Sequence, residues 1–204
     1  MTGKFIVLEG IDKSGKTTLS RSIKEKLAEN KKDVFYTHEP TEFFDSGLNI
    51  IDHLKRNEYL ILTAMFMRDR INHNRKIEEH LKMGKYVICD RYTLSTLAYQ
   101  GVYFKDHFEN EDEFFSWIGN FLNFSHMEPD LTIFIDFNEK MFMERRSEES
   151  DLIMFEKEEY LRDVYSLYNK AIERKMFSKS FKKIDGKLNR EKILEIALEC
   201  IEKL

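Results

Sequence analysis

Gly10-Ile11-Asp12-Lys13-Ser14-Gly15-Lys16-Thr17 satisfies G-x-x-x-x-G-K-[ST] at every fixed position. These residue types in this spacing suit one kind of chemistry, the cradling of a phosphate chain. Gly10 and Gly15 let the backbone turn tightly and bring its N–H groups close to phosphate oxygens. A helix opening at Lys16 adds its partial positive charge at the same point. Lys16 can reach the outer phosphates, the Thr17 hydroxyl can sit on Mg²⁺, and Thr18 continues the helix start. The plainer alternative is a glycine turn carrying a surface lysine. The flanks speak against it, because an apolar run, Phe5-Ile6-Val7-Leu8, precedes the octet and helical spacing (Leu19, Ile23, Leu27) follows it.

Further along, Tyr86-Val87-Ile88-Cys89 runs into Asp90, and Leu131-Thr132-Ile133-Phe134-Ile135 runs into Asp136. Each is a buried-strand pattern ending in a carboxylate that can orient a metal ion, so the two compete for that role. Arg91 follows Asp90 directly, placed either to hold a phosphate through a bidentate contact or to form a salt bridge with Asp90 or a neighbour. Phe66 and Arg70 are four apart and share one helix face. A flat ring beside a guanidinium suits a pyrimidine, although pattern alone makes Phe66 a core residue.

The rest of the chain must position these groups. Strand patterns at Asp33–Thr37 and Ser180–Ile184 join the three already named. Helical patterns cover Lys16–Glu29, Leu48–Leu54, Glu58–Met83, Thr93–Gln100, Glu111–Phe124, Asn138–Arg146, Glu156–Met176 and Arg190–Leu204. Five short strands alternating with helices predict an α/β fold with a parallel sheet and right-handed crossovers, the glycine-loop strand at its centre. Ser147–Asp151 is polar and suits a short mobile lid at about 147–155, with a solvated turn as the alternative. No linker divides the chain, so 1–204 is expected to be one domain.

Composition sets limits on function. The 204 residues are 42% hydrophobic and 34% charged, which suits a globular protein. A net charge of −4 argues against nucleic acid as the main partner. No apolar run approaches the ~20 residues of a membrane span, and no secretory leader is legible. Cys89 and Cys200 suit free thiols in a reducing compartment, so a cytoplasmic location is expected.

Several segments together resemble the thymidylate kinase family. Asp90-Arg91-Tyr92 with Ser95 and Ala98-Tyr99-Gln100 resembles its D-R-[YH]-x-x-S-x-x-A-Y-Q segment. Phe66 to His73 resembles its F-x-x-D-R-x-x-H stretch, Glu39-Pro40 its R-E-P turn, and Pro129-Asp130-Leu131 with Asp136 its P-D-L-x-x-x-L-D strand. Phe155-Glu156 resembles the segment after the lid, and the matches are collinear from about residue 4 to 168.

The resemblance implies a P-loop NTPase three-layer fold with a five-stranded parallel sheet. It implies transfer of the ATP γ-phosphoryl group to dTMP, with Mg²⁺, in a homodimer that needs neither nucleic acid nor membrane. The acceptor is itself an ionised phosphate, so no general base is required, and the site must instead supply cations and backbone donors. The loop residues Gly10 to Thr18 (Ile11 and Ser14 included) would bind ATP, and Thr17 with Asp90 the metal. The catalytic set would be Lys16, Arg91, Lys13 and Asp12. The dTMP set would be Asp12, Glu39, Pro40, Phe66, Arg70, Arg91, Ser95, Thr96, Tyr99 and Gln100. Within it Asp12 would accept from the 3′-hydroxyl, Tyr99 would wall off a 2′-hydroxyl, and Gln100 would be a second reader of the base.

Two departures stand out. His38 precedes Glu-Pro where the family usually has Arg, and Lys13 occupies a loop position where many relatives have Arg. The segment 147–155 contains no Arg or Lys, so the catalytic charge is assigned to the loop rather than the lid, with Arg145 and Arg146 just before it. A nucleotide kinase with another or broader acceptor is the nearest rival. A regulatory nucleotide switch is a second, although the chain lacks N-K-x-D, and an inactive nucleotide-binding subunit is a third.

Overall fold

The computed structural model describes residues 3–42, 50–145 and 158–204. The proposed lid at 147–155, Arg146 and Phe155-Glu156 lie outside the described residues. Strands β1 (Lys4–Glu9), β2 (Val34–His38), β3 (Tyr86–Asp90), β4 (Leu131–Asp136) and β5 (Phe181–Asp185) form one sheet in the order β2-β3-β1-β4-β5. Every pairing is parallel, and the glycine-loop strand β1 lies in the middle, as expected.

Among the described residues the helices are α1 (Lys16–Glu29), α2 (Ile50–Lys55), α3 (Tyr59–Lys82), α4 (Thr93–Gly101), α5 (Glu111–Asn123), α6 (Glu139–Arg145), α7 (Glu158–Glu173) and α8 (Arg190–Ile201). A single 3-10 turn, Lys105–His107, interrupts the aromatic stretch between α4 and α5. Residue alternation along β1 divides the core. Ile6 and Leu8 join the main cluster with Leu19 and Ile23 of α1, whereas Phe5 and Val7 join a smaller one with Ile77 of α3 and Tyr92. β1, β3 and β4 are therefore buried along nearly their whole length, which explains their nearly continuous apolar sequences, whereas the outer strands β2 and β5 are only partly buried.

This topology gathers the chemistry at one edge. The register pairs Leu8 with Asp90 and Thr37 with Cys89, so β1, β2 and β3 end side by side. The strand order reverses around β1, and such a switch point opens a crevice at the carboxyl ends of the strands.

Candidate active site

Gly10 and Gly15 have φ of 144° and 98°, backbone that side-chain-bearing residues rarely adopt. A Cβ at Gly10 would also meet the Ile135 carbonyl at 2.9 Å. Within the loop, Lys16 is buried, and its Nζ donates to the Ile11 carbonyl at 2.7 Å and to Ser14 Oγ at 3.3 Å. Burial, with Arg91 nearby, lowers the Lys16 pKa to about 7, against the opposing pull of Asp12, Asp90 and Glu9. Thr17 Oγ1 donates to Asp90 Oδ2 at 2.5 Å, while the buried Asp90 Oδ1 has no partner. The competing carboxylate, Asp136, is instead engaged by Tyr165 at 2.5 Å and Lys183 at 3.2 Å.

Two cavities adjoin the loop. One, of about 770 Å³, runs from residues 12–19 past Arg91 to Ile135, Gly186, Leu188 and Arg190. The other, of about 480 Å³, is lined by Glu39, Pro40, Ile50, Phe66, Arg70, Tyr92, Ser95, Thr96, Tyr99 and Gln100. Asp12, Lys13 and Arg91 line both. Every residue assigned to the dTMP set therefore borders the second cavity, and the loop residues from Asp12 to Thr18 border the first. Ile11 is packed in the core and contributes its carbonyl to Lys16.

Polar bonds refine these placements. Arg91 pairs with Asp12 Oδ1 through Nη2, and its Nη1 reaches Gly10 O at 3.3 Å and Ser95 Oγ at 3.2 Å. The salt bridge of Arg91 is therefore with Asp12, distant in sequence, rather than with the adjacent Asp90. Tyr99 donates its hydroxyl to Asp12 Oδ2 at 2.9 Å and accepts from Asp12 N at 3.0 Å. Burial opposes ionisation of Asp12, yet Arg91 and Lys16 outweigh it and hold its pKa below the ordinary aspartate value. Lys13 has a left-handed backbone (φ 59°), and its Nζ lies 4.9 Å from the Phe142 ring centre.

The α3 motif acts as a unit. Arg70 is buried; its Nε donates to Glu39 Oε2 at 2.9 Å and its Nη2 to Thr96 Oγ1 at 2.7 Å. His73 Nδ1 contacts Glu39 Oε1 at 3.0 Å, and its Nε2 contacts Thr37 Oγ1 at 2.7 Å. Asp69 accepts from Thr41 N at 2.8 Å and Thr41 Oγ1 at 2.5 Å. Asp69 and His73 therefore pin the Glu39-Pro40-Thr41 turn, a role the sequence pattern did not disclose. Glu39, expected to face dTMP, is buried and gives its carboxylate to Arg70 and His73. Phe66, which the resemblance assigns to the base, and Gln100 both line the second cavity.

Sequence reasoning missed Glu9. It ends β1 with 0% exposure, and its carboxylate accepts from Tyr92 N at 2.9 Å, Ser95 N at 3.2 Å, Ser95 Oγ at 2.6 Å and Tyr168 Oη at 3.0 Å. Burial raises its pKa, against the pull of the Ser95 hydroxyl, Arg91 and Tyr168. The one signal available was a carboxylate closing an apolar strand immediately before the glycine loop.

The family model described as Thymidylate kinase matches residues 8–195. The chain belongs to the thymidylate kinase family. It is 32% identical to the probable thymidylate kinase of Thermoplasma acidophilum, over 92% of this chain and 99% of that protein. It is 36% identical to the probable thymidylate kinase of Methanosarcina mazei, over 80% of this chain and 79% of that protein. It is 31% identical to the thymidylate kinase of Oceanobacillus iheyensis, over 98% and 90% of the two chains. Membership makes the chain a nucleotide-binding phosphotransferase, and among the described residues no helix is long and apolar enough to cross a membrane.

Proposed function

We propose that the chain transfers the γ-phosphoryl group of ATP to dTMP, giving dTDP and ADP. The observation that carries this reading is the wall of Asp12, Lys13 and Arg91 shared by the two cavities. A donor held along residues 12–18 and an acceptor held between Phe66 and Arg70 would meet at that wall. In-line transfer between two polyanions needs alignment and charge stabilisation rather than a base. Lys16 would serve the donor phosphates, Arg91 the acceptor phosphate, and Lys13, bordering both cavities, the group in transit. Arg70 Nη1 is buried with no partner, a donor left over for a ring carbonyl. Asp12 would take the 3′-hydroxyl alongside its bonds to Arg91 and Tyr99.

The residues fit a hard divalent cation, which we assign as Mg²⁺. Thr17 supplies a hydroxyl, and the unpartnered Asp90 Oδ1 can accept from a metal-bound water. Bound there, the cation would neutralise phosphate charge.

We also propose a single kinase domain over 1–204, a cytoplasmic location suited to the free thiols Cys89 and Cys200, and a homodimer across α3. Leu60, Ile61 and Ile71 of that helix are 54%, 52% and 44% exposed, an apolar stripe that a second copy would cover. Light scattering of the double variant Leu60→Glu/Ile61→Glu tests the dimer: a mass unchanged from wild type would rule out this face.

The decisive assay is ATP consumption with dTMP, dUMP, dCMP or dGMP added. Turnover that depends on dTMP supports the kinase, and turnover indifferent to any monophosphate would favour a nucleotide switch.

A further inference from the structure

A carboxylate sealed at the carboxyl end of the central strand needs a reason, because an apolar side chain would pack there without the cost of losing water. The four bonds described for Glu9 run to α4 and α7. Two of them fix the amides of Tyr92 and Ser95, and α4 has no cap from its own N-cap side chain, Tyr92. Glu9 therefore supplies from β1 a side-chain acceptor for the helix start, shared at Ser95 N with the Tyr92 carbonyl at 3.0 Å. The other two close a triangle: Ser95 Oγ lies 2.6 Å from Glu9 Oε2 and 2.8 Å from Tyr168 Oη. The same Ser95 Oγ accepts from Arg91 Nη1 at 3.2 Å. Ser95, which the resemblance places in the dTMP set, borders the second cavity and bonds Glu9 as well.

Arg91 needs such support. Its φ of 68° is left-handed, which a residue with a side chain adopts only when its surroundings hold it there. Arg91 N is tied to Leu8 O at 2.9 Å, one residue before Glu9, and Glu9 grips the residue after Arg91. Backbone and guanidinium are thereby both referred to the same strand end.

We propose that Glu9 is a positioning residue for the acceptor phosphate, fixing Arg91 through Ser95 and through the first turn of α4. The inference rests on the dTMP kinase reading. The hydrogen bonds of Glu9 reach α4 and α7 rather than Lys16 or Thr17, although its charge also bears on Lys16. Ser95 orients one arm of the guanidinium and leaves the other to Asp12.

The test measures steady-state kinetics for dTMP and ATP separately in wild type, Glu9→Gln, Ser95→Ala and the double variant, with melting temperatures. Gln keeps the shape and lets the Ser95 and Tyr168 hydroxyls reverse their bonds. Ser95→Ala leaves every charge in place and Glu9 still capped by two amides and Tyr168, so it serves if Glu9→Gln fails to fold. Each single variant should lose about 10- to 100-fold in kcat/KM for dTMP, the scale of a misplaced contact; in Ser95→Ala, which removes no charge near Lys16, KM for ATP should stay within about threefold. The double variant should be little worse than the poorer single one, since both cut the same chain. Equal losses on both substrates or wild-type kinetics for dTMP in Ser95→Ala, or additive losses in the double variant, would overturn the proposal. A wild-type protein with no dTMP-dependent turnover would overturn the kinase reading beneath it.

Discussion

Arg70 grips a single oxygen of Glu39 with two of its nitrogens, Nε at 2.9 Å and Nη2 at 2.8 Å, while His73 takes the other oxygen. With Nη2 also on Thr96, the guanidinium is fixed and only Nη1 remains unpartnered. Thymine has a carbonyl at position 4 and cytosine an amino group, so a fixed donor there rewards the first and is left unpaired by the second. An unsatisfied buried charged donor costs at least about 1–3 kcal/mol. The kcat/KM ratio of dTMP to dCMP should therefore be about 10- to 100-fold in wild type and close to unity in Arg70→Ala. Phe66→Ala should weaken both acceptors alike, because stacking ignores the exocyclic group. A wild-type ratio retained in Arg70→Ala would move base selection to Gln100.

Glu39 should matter for stability as well as selectivity. Both partners are nearly fully buried, and removing one side of a buried pair strands the other charge. Glu39→Ala should cost about 3–5 kcal/mol in denaturant unfolding, against less than about 0.5 kcal/mol for an exposed control such as Glu29→Ala. A cost near that of the control would mean the clamp is energetically idle.

Lys16 gives a pH signature. Its folded pKa, about 7, lies below the ordinary lysine value of 10.5, because burial penalises the ammonium. Between those values the unfolded chain binds more protons than the folded one, so stability of the ligand-free protein should rise with pH across that window. A triphosphate against Nζ should restore the proton. ATP binding at pH 8 should therefore take up about one proton, measured by calorimetry in buffers of different ionisation enthalpy. Lys16→Met should abolish the uptake, and Lys16→Ala should lower turnover by about 10²-fold or more. Uptake that persists in Lys16→Met would place the titrating group elsewhere.

Metal dependence tests the Thr17–Asp90 pair. Chelation should stop turnover. Asp90→Asn should raise the Mg²⁺ concentration needed for half-maximal rate by about 10- to 100-fold, and Asp136→Asn should leave it unchanged, since Asp136 is tied to Tyr165 and Lys183. The reverse ranking would exchange the two carboxylates.

Local signals were easy to read. The bounds of α1 and β3 follow from where the apolar spacing begins and ends, and the glycine octet identifies its own loop. Phe66 and Arg70 could be put on one face because helix geometry relates neighbours a turn apart. What stayed hidden depends on contacts between distant parts of the chain. Glu9 meets Ser95 and Tyr168 across 86 and 159 positions, and Glu39 meets Arg70 across 31. A glutamate does not announce whether its partner will be a ligand or an arginine. The resemblance to relatives marked Glu39 as part of the site without showing which way it faces.

Arg91 carries one further implication, for how this chain would respond to selection. A left-handed backbone costs a residue with a side chain about 1–2 kcal/mol that glycine avoids. Arg91 also lowers the pKa of Lys16, so two cations are held together against their repulsion. A library at position 91 sorted only for heat resistance should enrich glycine and asparagine, whereas one sorted for turnover should return arginine. Under the proposed role of Arg91, the position records a compromise in which the folded chain is less stable than it could be, so that an anion arriving later finds its counter-charge already aimed.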